Sequence, residues 1–325
     1  MAPLVVVTDF DFEDDSIERS LVEEAGFEFQ SFHALSEEEI ASAAPKASAL
    51  IVQYGKVGKT VIDALPDLKI IARYGVGVDI IDVEYATEKG VQVTNVPADY
   101  CLNEVADHAL AMMLTINRQL LSYDAAVRSG TWKWQSGAPI HRLAACTVGV
   151  IGFGRIGQAI VRRIQPFGST VLINDPSFKI GHLDDFGVDS VKLEELIARS
   201  DYLILQAPLN DQTRNMIGED ELASMKPGAV VINTARGPLI DTVALDRATR
   251  SGHIRAAALD DVPEEPAKQH DWSPTDPMFT NPNSILTPHA AYYSEESIEF
   301  CRHWAAHEVI RSLRGESVQS PVNRV

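Results

Sequence analysis

The stretch from Cys146 to Asp175 constrains the chain more than any other. It opens on an apolar, β-branched run (Val148, Val150, Ile151) of the kind that forms a buried parallel strand. Gly152, Gly154 and Gly157 follow at the spacing G-x-G-x-x-G, and Ile156, Ile160, Ile164 and Phe167 then recur at helical spacing. Gly168 is placed to stop that helix, and a second apolar run from Thr170 to Ile173 leads to Asp175. Strand, glycine turn, helix and strand in this order are the parts of a dinucleotide site. Gly152 permits the tight turn, Gly154 lets the backbone approach a pyrophosphate, and Gly157 lets helix and strand pack closely. The free N–H groups and positive dipole at the helix start suit the phosphates. Asp175 is placed to accept from both hydroxyls of the adenine ribose, and its charge repels a 2′-phosphate, so NAD is expected over NADP.

Composition sets the frame around that stretch. A chain of 325 residues with 45% apolar content has material for two globular domains. A formal net charge of −18 argues against wrapping nucleic acid. It also leaves any anion site to be built locally, from arginine and backbone N–H groups. Residues 1–10 are apolar but lack a basic flank and carry Asp9, so they read as a first strand and not a signal peptide. No apolar run approaches the length of a membrane span. Cys101, Cys146 and Cys301 are scattered and odd in number, which suits free thiols in a reducing cytoplasm, with Cys146 packing beside the first strand of the nucleotide fold.

From residue 4 to about 96 short β-rich runs alternate with helical patterns. Leu4 to Val7, Glu28 to Phe32, Ala49 to Gln53, Lys69 to Ala72 and Val91 to Thr94 read as strands, with helices starting near Asp14, Ser36, Gly58 and Asp82. Ser36 and Glu39 form a capping-box pattern. This is a small α/β domain with a parallel sheet. Within it, Arg73-Tyr-Gly-Val-Gly-Val-Asp79 ends a strand in a glycine-flanked turn. The N–H groups of Val76 and Gly77 there can hold a carboxylate, although an ordinary tight turn fits the pattern equally well. Asn95-Val-Pro97 through Cys101 reads as a crossing between domains. Asn103 then caps one long apolar helix (Val105, Ala109, Met112, Met113, Ile116, Leu120), and Trp132 and Trp134 sit on an irregular loop as packing anchors or dimer contacts.

Beyond the glycine motif, the strands Tyr202 to Gln206, Ala229 to Asn233, Ile254 to Leu259 and Ser284 to Leu286 each end in polar or charged residues. Those ends should converge on one rim, and Ser294 should cap a final helix running to about Arg314. Arg236, Glu265 and His289 lie at or just beyond such ends. An arginine can grip a carboxylate with two prongs while polarising a neighbouring carbonyl. A histidine can take or return a hydroxyl proton, and a nearby glutamate raises its pKa and fixes its tautomer. That set matches the interconversion of a 2-hydroxy acid and a 2-oxo acid against a nicotinamide. His303 and His307 lie four apart on the last helix, but with no third ligand beyond Glu299 they read as a solvated face, and no metal is expected.

The chain resembles the D-isomer-specific 2-hydroxyacid dehydrogenases over nearly its whole length, and within them the C-terminal-binding-protein-like branch. The matching segments are Arg73 to Asp79, Asn95-Val-Pro97, Gly152 to Gly157, Asn233 to Gly237, Ala258-Leu-Asp260 with Glu265-Pro266, and Pro288 to Ser294. The resemblance implies a Rossmann domain (102–292) and a smaller, discontinuous, flavodoxin-like substrate domain (1–101 and 293–325). It implies an NAD-dependent enzyme in which Arg236 binds substrate, Glu265 orients His289, and His289 is the acid/base. Asp260 would hold the nicotinamide carboxamide. Ala207, Pro208, Thr213, Thr234, Ala235, Ala291 and the Arg155-Ile156 step would line the cofactor cleft. Arg73, Val76, Gly77, Tyr100 and Tyr292 would face substrate. A homodimer packed through the segment Asn103 to Arg128 is implied as well. The alternative is an NAD(H)-sensing dimeric binding protein with little turnover. Two departures stand out. Asp261 precedes Val262 where the family has valine directly after the aspartate, and Tyr292 and Tyr293 stand where the branch carries tryptophan.

Overall fold

The computed structural model describes residues 2–263 and 274–325. Two sheets, parallel but for one edge strand, organise them, each in its own unit. The first unit takes the chain up to Tyr100 together with Tyr293–Val325, and the second begins at Cys101 and closes at Tyr292.

The smaller unit builds β1 (Leu4–Val7), α1 (Ser16–Glu24), β2 (Glu28–Ser31), α2 (Glu37–Ala43), β3 (Ala47–Val52), α3 (Lys59–Ala64), β4 (Ile70–Arg73), α4 (Val83–Glu88) and β5 (Gln92–Thr94). The strands lie in the order β2-β1-β3-β4-β5, all parallel. Because both faces are covered, the strands read as unbroken apolar runs; Val5, Val6, Leu50, Ile51, Ile70 and Ile71 are all fully buried. The capping box forms, with Glu39 N donating to Ser36 Oγ and Ser36 N to Glu39 Oε2.

The larger unit runs through α5 (Leu102–Arg118), α6 (Leu120–Arg128), β6 (Thr147–Ile151), α7 (Arg155–Ile164), β7 (Thr170–Asn174), β8 (Gly181–Leu183), β9 (Val188–Ser190), α8 (Leu193–Arg199), β10 (Tyr202–Leu205), α9 (Glu219–Ser224), β11 (Ala229–Asn233), α10 (Thr242–Arg250), β12 (Ile254–Leu259) and β13 (Ser284–Leu286). Their order is β13-β12-β11-β10-β6-β7-β9-β8. Strand order reverses between β6 and β10, the place where sheets of this type receive ligands. α11 (Glu295–Leu313) returns the chain to the smaller unit, where Cys301, Ala305 and Val309 pack on Val5, Ile51 and Ile70.

Several expectations are corrected. Asn103 does not cap α5: the helix starts one residue earlier, behind Cys101, and Asn103 Oδ1 accepts from Arg163 Nη2. The expected single helix is two, broken at Gln119, whose φ of 54° lies in the left-handed region. Among the described residues Trp132 and Trp134 are not packing anchors, being 86% and 73% exposed. The strands β8 and β9 escape pattern reading because they are three residues each and mostly polar. Gly168 has the left-handed φ of 77° expected of a stop, but a 3₁₀ turn intervenes between it and the end of α7. All three cysteines are buried, and Cys146 joins the core cluster beside β6. Among the described residues, no helix is long and apolar enough to cross a membrane.

Candidate functional site

Register makes the rim of the larger sheet. Ile151 pairs with Asn174 and Leu205, Leu205 with Asn233, Asn233 with Leu259, and Leu259 with Leu286. The next residue on each strand therefore stands at one level: Gly152, Asp175, Gln206, Thr234, Asp260 and Thr287. The ladder carries on into that level, with Gly152 N donating to Asn174 O at 2.8 Å and Asp260 N to Asn233 O at 2.9 Å.

The three glycines have separable reasons. Gly152 has φ +91° and lies so near β10 that a Cβ would meet the carbonyl of Gln206 at 2.6 Å. At Gly157 a Cβ would meet Gly152 O at 2.2 Å, so α7 can approach the turn only here without a side chain. At Gly154 a Cβ would meet nothing within 4 Å. Among the described residues no neighbour demands glycine there, so the demand falls on whatever approaches the start of α7, a ten-residue helix with no side-chain cap. The donors and the opening fit a dinucleotide pyrophosphate. Between the glycines, Phe153 is fully buried and meets Phe178 and Phe186 edge-on at 5.2 and 5.0 Å, which ties the turn to the core. Asp175 accepts from Phe153 N at 2.7 Å and Ser177 N at 2.8 Å, so in this state its carboxylate helps shape the glycine turn. Ile156 packs partly on the core while Arg155 is exposed. Across the switch point, Ala207 is buried, and Thr213 Oγ1 donates to Pro208 O at 2.6 Å, closing the loop after β10.

The Arg236 loop is held tightly. Asn233 Nδ2 donates to Arg236 O at 2.8 Å, Ala235 N donates to Asn233 Oδ1 at 3.0 Å, and Gln206 Nε2 donates to Thr234 Oγ1. A Cβ at Gly237 would stand 2.3 Å from the carbonyl carbon of Val262, so this glycine lets the loop lie against the backbone that follows β12. Arg236 itself is half-buried, with Nη1 donating to Ala235 O at 2.9 Å.

Asp260 organises the opposite corner. Its carboxylate, 2% exposed, accepts from Thr287 Oγ1 at 2.5 Å and from the N–H groups of Ala290 and Ala291 at 2.9 Å each. His289 N donates to the Asp260 carbonyl at 2.7 Å. His289 is left-handed at φ +53°, a conformation uncommon for a side chain of its size and one that local hydrogen bonds must enforce. Its half-buried ring meets the Tyr292 ring edge-on at 5.9 Å. His108 on α5 approaches the same corner, 3.1 Å from Thr287 Oγ1 and 3.7 Å from Asp260 Oδ1. Sequence reading missed His108, which looks like any polar residue on an amphipathic helix. Asp261 is 3% exposed and Val262 joins the core, so the extra aspartate turns inward. Glu265 lies outside the described residues.

In the smaller unit, Arg73, Val76 and Gly77 lie together at the carboxyl end of β4, and Tyr100 sits on a 3₁₀ turn packed beside Tyr74 and Val96. The Arg73 guanidinium folds over the turn: a Cβ at Gly75 would stand 1.6 Å from Nη1. Arg73 Nε is buried and meets no acceptor among the described residues. Beneath the turn, Tyr74 Oη donates to Glu18 at 2.8 Å, and Glu18 pairs with Arg302 at 2.7 Å. Burial and the Glu18 charge push the Tyr74 hydroxyl well above its ordinary pKa.

A glycine turn at the switch point of a parallel sheet, with a second, discontinuous α/β unit, defines a two-domain dinucleotide-binding protein. The chain belongs to the D-isomer specific 2-hydroxyacid dehydrogenase family, whose NAD binding domain matches residues 110–291. It is 37% identical over 286 residues to a D-3-phosphoglycerate dehydrogenase of Mycobacterium leprae, covering 88% of this chain and 53% of that one. It spans about half the length of that relative. It is 37% identical over 300 residues to a glyoxylate reductase of Thermococcus onnurineus, covering 90% of this chain and 87% of the relative. The structure of a D-lactate dehydrogenase from Aquifex aeolicus complexed with NAD and lactic acid superposes with a TM-score of 0.88 at 30% identity, covering 96% of each chain. None of these three is a C-terminal binding protein.

Proposed function

We propose that this chain is an NAD-dependent D-2-hydroxyacid dehydrogenase acting on a small 2-hydroxy or 2-oxo acid. The observation that carries the reading is the common rim, on which the glycine turn, the Arg236 loop and the Asp260–His289 corner follow strand ends in register. Gly152 to Gly157 would hold the pyrophosphate, Asp175 the adenine ribose, and Ala207, Pro208, Thr213, Thr234, Ala235, Asp260 and Ala291 the remaining cleft. Bound there, the nicotinamide supplies or accepts the hydride. His289 gives the carbonyl oxygen its proton in reduction and removes it in oxidation, with Glu265 as its partner. Arg236 grips the carboxylate and polarises the carbonyl. Arg73 and the N–H groups of Val76 and Gly77 would be further anion donors to substrate, and Tyr100 and Tyr292 further substrate contacts.

The test is loss of NADH absorbance across 2-oxo acids from glyoxylate and pyruvate to hydroxypyruvate, its phosphate ester, and branched and aromatic acids. Turnover abolished by His289→Ala supports the reading. Tight NADH binding without turnover on any acid would instead favour the NAD(H)-sensing, C-terminal-binding-protein-like alternative. Either reading takes the chain as a dimer: Leu120, Leu121, Trp132 and Trp134 are 52%, 60%, 86% and 73% exposed on and after α6. That surface suits a second copy of the chain. Light scattering should therefore give a dimer, and Trp132→Asp with Leu121→Asp should give a monomer.

A further inference from the structure

The turn after β4 is pinned from one side. Gly75 O accepts from Val96 N at 3.1 Å, and Val76 O accepts from Asn95 Nδ2 at 2.7 Å. A trans peptide plane points its carbonyl and the following N–H in opposite directions. The N–H groups of Val76 and Gly77 therefore both face away from Asn95–Val96. Neither has an acceptor among the described residues. Asn95 is held in its turn by the carboxyl-terminal tail. Its carbonyl accepts from Ser320 Oγ, and its N–H donates to Ser320 O at 3.4 Å. Ser320 is fixed by α11: its N–H donates to Glu308 Oε2 at 2.9 Å, and its Oγ accepts from Trp304 Nε1 at 2.9 Å. Glu308 is fully buried, so the tail is fastened from inside the unit.

We propose that Asn95 and Ser320 are positioning residues for anion recognition. Through them the tail sets two successive peptide planes so that adjacent N–H donors receive the substrate's carboxylate. The proposal rests on the reading of the Arg73–Asp79 turn as an anion site. A tail that merely tethered the fold would need no side-chain amide on the Val76 carbonyl. Asparagine suits that task because its carboxylate isostere has no donor to offer and would repel the carbonyl, favouring a flipped peptide.

The test compares Asn95→Asp, Ser320→Ala and Ser320→Thr with wild type. It reads KM and kcat for the best 2-oxo acid, the affinity of oxalate by calorimetry, the NADH Kd by fluorescence, and Tm. Asn95→Asp should weaken both oxalate and substrate about tenfold, the scale of one misaligned charge-assisted hydrogen bond, with NADH Kd unchanged and kcat little altered. Ser320→Ala should weaken them about threefold, and Ser320→Thr, which keeps the hydroxyl, should restore them. Unchanged oxalate affinity in both loss variants overturns the proposal, as does a parallel loss of NADH binding and Tm. If wild type turns over no acid yet binds oxalate in a manner that depends on Asn95, the dehydrogenase reading fails and the positioning role stands. If wild type binds no oxalate, the anion site and the proposal fall together.

Discussion

The Asp260 corner and the Arg73 turn both sit just beyond the carboxyl end of a parallel strand, and they are finished differently. At Asp260 every oxygen is engaged by the chain itself: one hydroxyl and two backbone N–H groups converge on a carboxylate that water barely reaches. At Arg73 the polar groups are donors, and Nε and the N–H groups of Val76 and Gly77 meet no acceptor among the described residues. A satisfied buried group positions its neighbours, because losing it leaves several partners unpaired. An unsatisfied one carries a desolvation cost that an arriving ligand can relieve. The first corner is therefore satisfied within the fold, and the second is the one proposed to receive substrate.

The comparison breaks most visibly at Asp260. Asp260→Ala leaves the Ala290 and Ala291 N–H groups and Thr287 without their acceptor and releases the left-handed His289 loop. Urea unfolding should show a loss of about 3 kcal/mol, together with collapse of turnover. Full stability in that variant would show that the corner is not structural.

Arg73→Ala should do the reverse. Among the described residues its guanidinium has no ion pair to lose, so stability should stay within about 0.5 kcal/mol of wild type. The substrate KM should rise about thirtyfold, since a charge-assisted contact is lost, while NADH affinity holds. Gly75→Ala should copy this effect by pushing the guanidinium off the turn. A stability loss without a change in KM would reverse the assignment.

Asp175 lies between the two cases, because its carboxylate now holds Phe153 N and Ser177 N yet stands where a ribose is expected. Asp175→Ala should weaken NAD about tenfold, the loss of paired hydrogen bonds, and leave NADP nearly unchanged. The two Kd values measured side by side decide it, and an unaltered ratio would remove Asp175 from cofactor choice.

Much of this was legible along the chain wherever one local pattern carried the whole message. Parallel strands covered on both faces read as apolar runs, glycine spacing marked the turn, and Ser36, Asp82 and Ser294 marked helix starts. What escaped depends on distant partners or on shape. Nothing near Gln119 signals a break, since a left-handed residue there needs neither glycine nor proline. His108 becomes notable only beside Thr287, and Asn95 only beside Val76 and Ser320. The polar strands β8 and β9 pair at a sheet edge where hydrophobic alternation is not required.

The smallest effect sharpens the satisfied class. Asp9 repeats the Asp260 device in the smaller unit: just past β1, at 2% exposure, it accepts from Thr8 Oγ1 at 2.7 Å, Tyr54 N at 2.5 Å and Gln53 N at 3.3 Å. Burial outweighs those bonds and raises its carboxyl above the ordinary 3.8. In the window just above that value the folded chain holds a proton that the unfolded chain has released. Its contribution is thus complete below the unfolded pKa and declines as pH rises through the folded one. Denaturant titrations across that window should give a falling stability component no steeper than about 1.4 kcal/mol per pH unit. Asp9→Asn keeps the shape and an acceptor for the backbone donors but cannot titrate, so it should flatten that component alone. An identical slope in the variant would mean that burial does not raise the Asp9 carboxyl in that window.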